Sequence, residues 1–598
     1  MWWERDSSDL DEAGRLPTWE MFRRLHPYVR PHLPAFLTAF ALGLVSVALH
    51  LGQPLVLRHI IDVDVPGGDL GGLFRSALIY LGLMVGMGLA TVASSILLGK
   101  AGVMAVNAIK RSLFAHFFRL GVLWLEKLPV GVLVSRIESD SQRLVALTST
   151  MMMQILHALG TLIGALFILG RLDMRLFAVA AVVIPLMLAG TFAIFRLMRP
   201  RFRKERSLYA KLVGLLAETL PAARFLQAVG RSDWARGRVA AENRRYNRFS
   251  VKLYFLEYGL FHALGFLEVV MTVVALWLGA RWVQAGTVTV GTLVAFAQLI
   301  AQIYWPIIAL SEQLAEIQRA GGAADRIFQV LDTAPEVASP AEPVPVPAQP
   351  ALIRFENVGF AYEPGKPVLQ NVSFSLAAGE TVALVGPTGG GKSTLVSLLC
   401  RFMDPTAGRI ELDGNDLRDF DPRALRRRLG LVLQDLYLFP ASVADNLRAF
   451  RPEVSEETVR EAARTAGLDE VIARRPQGYA APLESRGRDL SYGQRQLMAF
   501  ARALAVDPPI LVLDEATSSV DPGTERRIQE TLERLTQGRT TLVVAHRLST
   551  VRRANRILVI DGGIVESGSH EELMALGGRY AELVALQLEE ARSAEKSA

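Results

Sequence analysis

Gly386-Pro387-Thr388-Gly389-Gly390-Gly391-Lys392-Ser393 reads G-x-x-x-x-G-K-S, the pattern of a phosphate-binding loop. Just before it, Thr381-Val382-Ala383-Leu384-Val385 is a short apolar run that predicts a buried strand. Just after it, Thr394-Leu395-Val396-Ser397-Leu398-Leu399 predicts the start of a helix. Strand, loop and helix in that order are the context the motif needs. Glycines let backbone N–H groups curl around phosphate oxygens without Cβ clashes, and the helix N-terminus adds positive potential. In this reading the residues from Gly386 to Thr394 bind ATP. Lys392 reaches the β- and γ-phosphates, and the Ser393 hydroxyl ligates Mg²⁺. A Gly-rich turn with a stray lysine satisfies the pattern taken alone; the sequence on either side does not fit that reading.

Residues 508–514 (PPILVLD) form an apolar run that ends in Asp514 and Glu515. This predicts a buried parallel strand with acids at its C-terminal end, where ligand sites of α/β sheets lie. Asp514 is placed to hold Mg²⁺ through water, and Glu515 to polarise an attacking water. Thr541-Leu542-Val543-Val544-Ala545 predicts a second buried strand, with His546 at its end in reach of a γ-phosphate. Ile353–Val358 and Val372–Leu376 read as further strands.

Upstream the chain changes character. Long apolar runs predict membrane spans near 33–57, 75–98, 144–170, 176–198, 257–279 and 291–311. Each approaches or exceeds the roughly 20 residues that cross a bilayer core. Residues 18–31 mix Trp19, Phe22, Leu25 and Tyr28 with Arg23, Arg24 and Arg30, as in an amphipathic helix on a membrane surface. The segment between the second and third spans carries Lys100, Lys110, Arg111, Arg119, Lys127, Arg136 and Arg143. The one between the fourth and fifth is richer still, from Arg199 to Arg248. The other connections nearly lack Lys and Arg. The positive-inside rule therefore places both long loops and both termini in the cytoplasm. Apolar residues at helical spacing predict that these loops continue the membrane helices below the bilayer.

The fifth span contains Glu257, His262 and Glu268. A charge at a helix centre costs about 2.5–3.5 kcal/mol, against roughly 0.3–0.6 gained per large apolar residue. Such a group is expected to face a partner or a wet cavity rather than lipid. Glu257 and Glu268 are about three turns apart and share a face. A hydrogen bond to another span and a place on a substrate pathway both remain open readings.

The chain has 598 residues, too many for one domain, and is 51% hydrophobic. Its mean hydropathy of +0.27 is high for a soluble protein. The net charge is only +6, which gives a nucleic-acid partner no support. A single cysteine, Cys400, excludes an internal disulfide framework and reads as a small core residue. The acidic first residues lack an apolar core and predict neither a signal nor a transit peptide. Residues 334–350 (APEVASPAEPVPVPAQP) are Pro-rich and aperiodic and read as a linker. The domains expected are thus a membrane domain over 1–333, this linker, a nucleotide domain over 351–585 and a polar tail over 586–598.

At this point the sequence resembles the ATP-binding cassette exporters over nearly its whole length. Gln434, in Val432-Leu433-Gln434-Asp435, matches the family's Q-loop, and Leu490-Ser491-Tyr492-Gly493-Gln494 resembles its signature L-S-G-G-Q. Ile510 to Glu515 matches the Walker B strand with its catalytic glutamate. Ser518-Ser519-Val520-Asp521 resembles the D-loop, Ala545-His546-Arg547 the switch histidine, and Tyr362 the aromatic that stacks on adenine. Leu128-Pro129-Val130-Gly131 through Asp140 resembles the first intracellular loop, and Glu218-Thr219-Leu220 onward the second.

The resemblance implies an α-helical six-span membrane domain followed by an α/β phosphate-loop domain, that is, a half-transporter of the cell membrane. Two chains pair and sandwich two ATP molecules, each held between the phosphate loop of one and the signature of the other. Glu515, His546 and Gln434 are then catalytic. Ser393, Gln434 and Asp514 hold Mg²⁺, and Asp521 belongs to the D-loop. ATP binding and hydrolysis drive export by alternating access, with lipid and the exported substrate as further partners. Two departures stand out. Tyr492 stands where the family signature has the first glycine of its pair, so L-S-G-G-Q becomes L-S-Y-G-Q, and the family's G-E-R-G becomes Glu484-Ser485-Arg486-Gly487. A tyrosine at that signature position crowds the approach to the γ-phosphate. The favoured partner is therefore a different half-transporter whose own site is degenerate; the alternative is that Tyr492 is tolerated and two identical chains pair. An ATP-gated channel on the same scaffold is the competing class, although no long regulatory insert is present. Six spans exclude a soluble ATPase, and importers usually carry cassette and membrane domains on separate chains.

Overall fold

The computed structural model describes residues 17–350, 352–433, 436–514, 522–545 and 548–586. It divides into two compact units: residues up to Phe117 with Leu128–Thr333, and residues 118–127 with those from Ala334 onward. The membrane half, read from the sequence as continuous over 1–333, is thus interrupted. The short helix Val122–Lys127 belongs with the second unit, where Leu123 packs on its core.

The first unit is helical: α1 (Thr18–Val29), α2 (Leu33–His59), α3 (Leu70–Phe117), α4 (Met152–Leu172), α5 (Met174–Thr219), α6 (Ser232–Gln284) and α7 (Val290–Asp332). Among the described residues, six helical stretches are long and apolar enough to cross a membrane. Helices α3, α5 and α6 have 48, 46 and 53 residues. At about 1.5 Å per residue each is far longer than a bilayer core of about 30 Å. Large apolar side chains such as Leu89 and Ile96 on α3, Ile163 and Phe167 on α4, and Phe192 on α5 lie exposed. That is expected of surfaces that meet lipid tails instead of water.

Inside, Val47, Leu51, Leu169, Phe296, Leu299 and Ile303 belong to one core. Helices α2 and α4 meet over glycines. A Cβ on Gly164 would stand 2.3 Å from Leu51, and one on Gly43 2.7 Å from Leu156. Small residues allow this close approach, which supplies packing where hydrophobic driving force is weak. At the far end of α2 the chain widens into a π turn, Ile60–Asp64. Asp62 there accepts the Gly291 N–H at 2.7 Å and the Thr289 hydroxyl at 2.6 Å, tying it to the start of α7.

The second unit contains β1 (Leu352–Glu363), β2 (Lys366–Ala377), β3 (Thr381–Val385), β4 (Ala407–Leu412), β5 (Asn415–Asp416), β6 (Leu429–Val432), β7 (Ile510–Asp514), β8 (Thr540–Val544), β9 (Arg556–Ile560) and β10 (Ile564–Gly568). A six-stranded sheet runs β10-β9-β3-β8-β7-β6, and a four-stranded one β2-β1-β4-β5. In the larger sheet β6, β7, β8, β3 and β9 are parallel and β10 is antiparallel. Strand β3 buries both faces. Val382 and Leu384 enter one core with Phe355, Leu376 and helix α8 (Lys392–Leu399), while Ala383 and Val385 enter another. Two-sided burial explains why its sequence is an unbroken apolar run. Cys400, just past α8, is a core residue whose thiol burial pushes up to about 12. The Pro-rich segment is held along the second unit: Val344 pairs with Phe420, and Arg401 donates to Ala338 O at 3.1 Å.

Candidate nucleotide-binding site

Strand β3 ends at Val385, and the loop turns through Gly386, Gly389 and Gly391, with φ of 145°, 85° and 100°. These are conformations that side chains resist. Space forbids a side chain as well. A Cβ on Gly386 would stand 2.1 Å from Ile560 O, and one on Gly391 2.5 Å from Leu369 Cδ2. Gly390 N–H donates to Pro387 O at 3.1 Å, and helix α8 starts at Lys392.

Lys392 is 7% exposed, and its ammonium donates to Gly386 O and Pro387 O, both at 2.8 Å. Burial lowers its pKa below the ordinary lysine value, while the nearby Asp514 and Asp561 carboxylates pull it back up. Ser393 faces solvent in the first turn of α8, and Thr388 and Gly389 are exposed with it. Thr394 is buried, with its hydroxyl 3.1 Å from the Tyr362 hydroxyl. Tyr362, near the end of β1, is 47% exposed and stands edge-on to Phe360 at 5.0 Å. The fold therefore brings Tyr362 beside the phosphate loop from a different sheet.

Asp514 closes β7. It lies opposite Val544 of β8, which in turn lies opposite Leu384 of β3. The acid and the loop thus emerge at the same C-terminal edge of the parallel sheet, where such folds place ligands. The Ser393 hydroxyl and the Asp514 carboxylate are hard oxygen donors, the chemistry Mg²⁺ takes. Gln434, Glu515, Asp521 and His546 lie outside the described residues.

The signature segment opens helix α9 (Tyr492–Val506). Ser491 caps it. The Ser491 hydroxyl accepts the Gln494 N–H at 3.2 Å, and Gln494 Oε1 accepts the Ser491 N–H at 3.0 Å. This capping box holds the helix entry rigid. Leu490 and Gly493 are buried beside it. Tyr492 is half-buried and lines a crevice of its own chain with Leu433, Leu436, Gln496 and Asp514. The Arg495 guanidinium lies 5.8 Å from its ring. In the departing Glu484–Gly487 stretch, Arg486 and Gly487 have φ of 61° and 62°, and the Glu484 N–H donates to Asp489 at 3.1 Å.

The membrane candidates all sit on α6. Glu268 is half-buried and accepts the Thr272 hydroxyl at 3.3 Å. His262 is exposed, with Nδ1 2.8 Å from Tyr258 O. Glu257 is half-buried. Sequence reading passed over Ile560-Asp561-Gly562-Gly563, the turn that lies against the phosphate loop. Its signal was an Asp-Gly step between apolar runs, a hairpin mark.

The pattern described as ABC transporter transmembrane region matches residues 36–307, and that described as ABC transporter matches residues 369–518. An ATP-dependent lipid A-core flippase of Syntrophus aciditrophicus is 34% identical over 578 residues, covering 96% of this chain and 96% of that protein. The chain belongs to the ABC transporter family. A multidrug efflux ATP-binding/permease protein of Mycobacterium bovis is also 34% identical, covering 93% of this exporter chain and 47% of that protein. Among solved structures, a bacterial Atm1-family ABC exporter with ATP bound is 29% identical. It matches with a TM-score of 0.76 over 94% of this chain and 98% of that one. The exporter is thus a multi-pass membrane protein with a cytoplasmic ATPase domain.

Proposed function

We propose that this exporter moves its substrate outward by alternating access, with ATP at paired cassettes and a second, different half-transporter as its partner. The observation that carries the nucleotide reading is the loop from Gly386 to Lys392. Gly386 and Gly391, both at positive φ, are wedged against Ile560 and Leu369, and its lysine is packed beneath. In this reading Lys392 binds the β- and γ-phosphates, Tyr362 stacks on adenine, and Ser393 and Asp514 hold Mg²⁺ with Gln434. Bound Mg²⁺ neutralises charge developing on the phosphates. Glu515 orients and deprotonates the attacking water, and His546 contacts the γ-phosphate. Asp521 and the Leu490–Gln494 signature serve the site shared with the partner. Binding energy then goes into bringing two cassettes together.

Tyr492 supports the unequal pair. It stands at the entry of α9, where a glycine would leave room for a phosphate. A chain with its own complete acid and lysine set, donating a crowded signature, fits a partner whose site turns over slowly. A homodimer is the second reading, and one observation favours it: the Tyr492 side chain lines a crevice of its own chain.

Expressing the chain alone and with a co-encoded half-transporter separates these readings. An inactive single product that the partner rescues supports the unequal pair; a stable, substrate-stimulated homodimer removes it. Inverted vesicles test transport itself. ATP-dependent accumulation of substrate above equilibrium is expected, and mere equilibration would instead mark a channel.

A further inference from the structure

Between α2 and α3 the chain reads Asp62-Val63-Asp64-Val65-Pro66-Gly67-Gly68-Asp69, and the charge rule puts this stretch on the outer side of the membrane. Asp62 is engaged with the start of α7, as described above. Asp64, the last residue of the π turn, is 8% exposed, and its Oδ2 is buried with no hydrogen-bond partner. The chain then reverses at Gly68, with φ 62° and its N–H donating to Val65 O at 3.3 Å. Asp69 opens α3, its carbonyl accepting the Leu73 N–H at 2.9 Å.

The reversal brings two carboxylates to one spot over the first turn of α3. A Cβ placed on the buried Gly72 would stand 2.7 Å from Asp69 Oδ2 and 3.1 Å from Asp64 Oδ1. Glycine at 72 therefore keeps a small space open between two like charges. The neighbouring basic groups stand back from it. His59 Nε2 is 3.7 Å from Asp64 Oδ1 and Arg75 Nη2 is 3.6 Å from Asp69 Oδ2, both beyond hydrogen-bond reach, on side chains 57% and 78% exposed. Burying a carboxylate without a partner is costly, and a second carboxylate beside it adds repulsion. A cation between them removes both costs.

We propose that Asp64 and Asp69 form a binding site for a hard divalent cation, Mg²⁺ or Ca²⁺, on the outer face of the membrane domain. Carboxylate oxygens are the ligands such ions take. Among the described residues no three Asp, Glu, His or Cys side chains converge into a metal cage. Water therefore completes the shell, as it does for hard ions held through one or two carboxylates. Asp64 supplies the buried oxygens. Asp69, 60% exposed, supplies the way in from solvent. The bound ion joins the end of the π turn to the first turn of α3, two residues past the Asp62 contacts with α7. It steadies the outer junction of α2, α3 and α7.

The test uses the purified full-length exporter without nucleotide, so that no ATP brings its own metal. Mn²⁺ is the probe, with its free concentration read by electron paramagnetic resonance. The parent should bind Mn²⁺ with a dissociation constant of about 10⁻⁴ to 10⁻³ M, the range of weak extracellular sites. Mg²⁺ or Ca²⁺ should displace it. Asp64→Asn and Asp69→Asn should each weaken that binding by at least ~10-fold, since groups that only support a ligand already contribute about 10- to 100-fold. Gly72→Ala, which fills the space and leaves every charge in place, should weaken it as well. His59→Gln should leave it within about two-fold, because imidazole suits softer metals. Thermal midpoints in EDTA separate a lost ligand from a lost fold. Asp64→Asn removes an uncompensated buried charge, so without cation it should melt no lower than the parent. Added Mg²⁺ or Ca²⁺ should raise the midpoint of the parent and not that of Asp64→Asn. No Mn²⁺ binding in the parent, or binding that survives when both aspartates are replaced, overturns the proposal. So does an Asp64→Asn protein that melts lower than the parent in EDTA, which would mean that the charge already has its partner. Binding that neither Mg²⁺ nor Ca²⁺ displaces, or that His59→Gln abolishes, overturns the assignment to a hard cation.

Discussion

Arg326 donates from Nε to Asp140 Oδ2 at 3.0 Å, joining α7 to the π turn Arg136–Asp140 across 186 residues of sequence. A second guanidinium nitrogen reaches the other carboxylate oxygen, so the fork is bidentate. Asp140 is 4% exposed, and Arg143 stands 3.8 Å from it as a weaker second partner.

Removing one side of a buried pair strands the other. Arg326→Ala should therefore destabilise the protein by about 1–3 kcal/mol, less than for a fully buried partner because Arg326 remains partly exposed. The thermal midpoint in detergent should fall. Asp140→Asn with Arg326→Gln, which leaves no stranded charge, should recover part of that loss. Strict additivity of the two single effects would show that the pair is not coupled.

Glu515 follows directly on Asp514, whose place at the sheet edge is set by its register with β8. Glu515→Gln should lower ATP hydrolysis by at least ~100-fold, the usual contribution of a positioned base. ATP should still bind and the cassettes still close. Near-parental turnover would remove Glu515 from the role proposed for it.

Substitutions in the phosphate loop should separate shape from charge. Gly386→Ala places a methyl 2.1 Å from the Ile560 carbonyl at φ 145°, so it should lower both thermal stability and ATP binding. Lys392→Ala should weaken ATP binding by roughly 10- to 100-fold, as expected for lost charge-assisted hydrogen bonds. Tyr362→Ala should weaken binding less and leave single-turnover chemistry almost intact. Equal affinity across all three variants would contradict the site.

Glu268 is half-buried on α6 and accepts the Thr272 hydroxyl of its own helix at 3.3 Å. If the Glu257–Glu268 face serves the substrate pathway, Glu268→Gln should change substrate-stimulated ATPase more than basal ATPase. Equal effects on both rates, with a lower thermal midpoint, would mark the carboxylate as structural.

Much of the nucleotide site was legible because its chemistry is local in sequence. A loop that wraps phosphate needs glycines, a lysine and a hydroxyl at fixed spacing between one strand and one helix. Fully buried strands such as β3 and β7 need unbroken apolar runs. The six spans were equally plain, since lipid demands about 20 apolar residues in a row. The place of residues 118–127 was not legible, because a short helix with one buried Leu123 carries no mark of the core it joins.

The sequence alone therefore determined the class of protein, its six apolar spans and the phosphate-loop pattern between one strand and one helix. Tertiary structure alone decided which distant residues support them. Tyr362 reaches Thr394, Ile560 and Gly562 brace the loop, and Arg326 finds Asp140. The physical reason is range. Backbone conformation and helix or strand periodicity are set by near neighbours in the chain, and composition records them. Packing and electrostatics act through space, between residues whose separation in sequence says nothing of their separation in the fold.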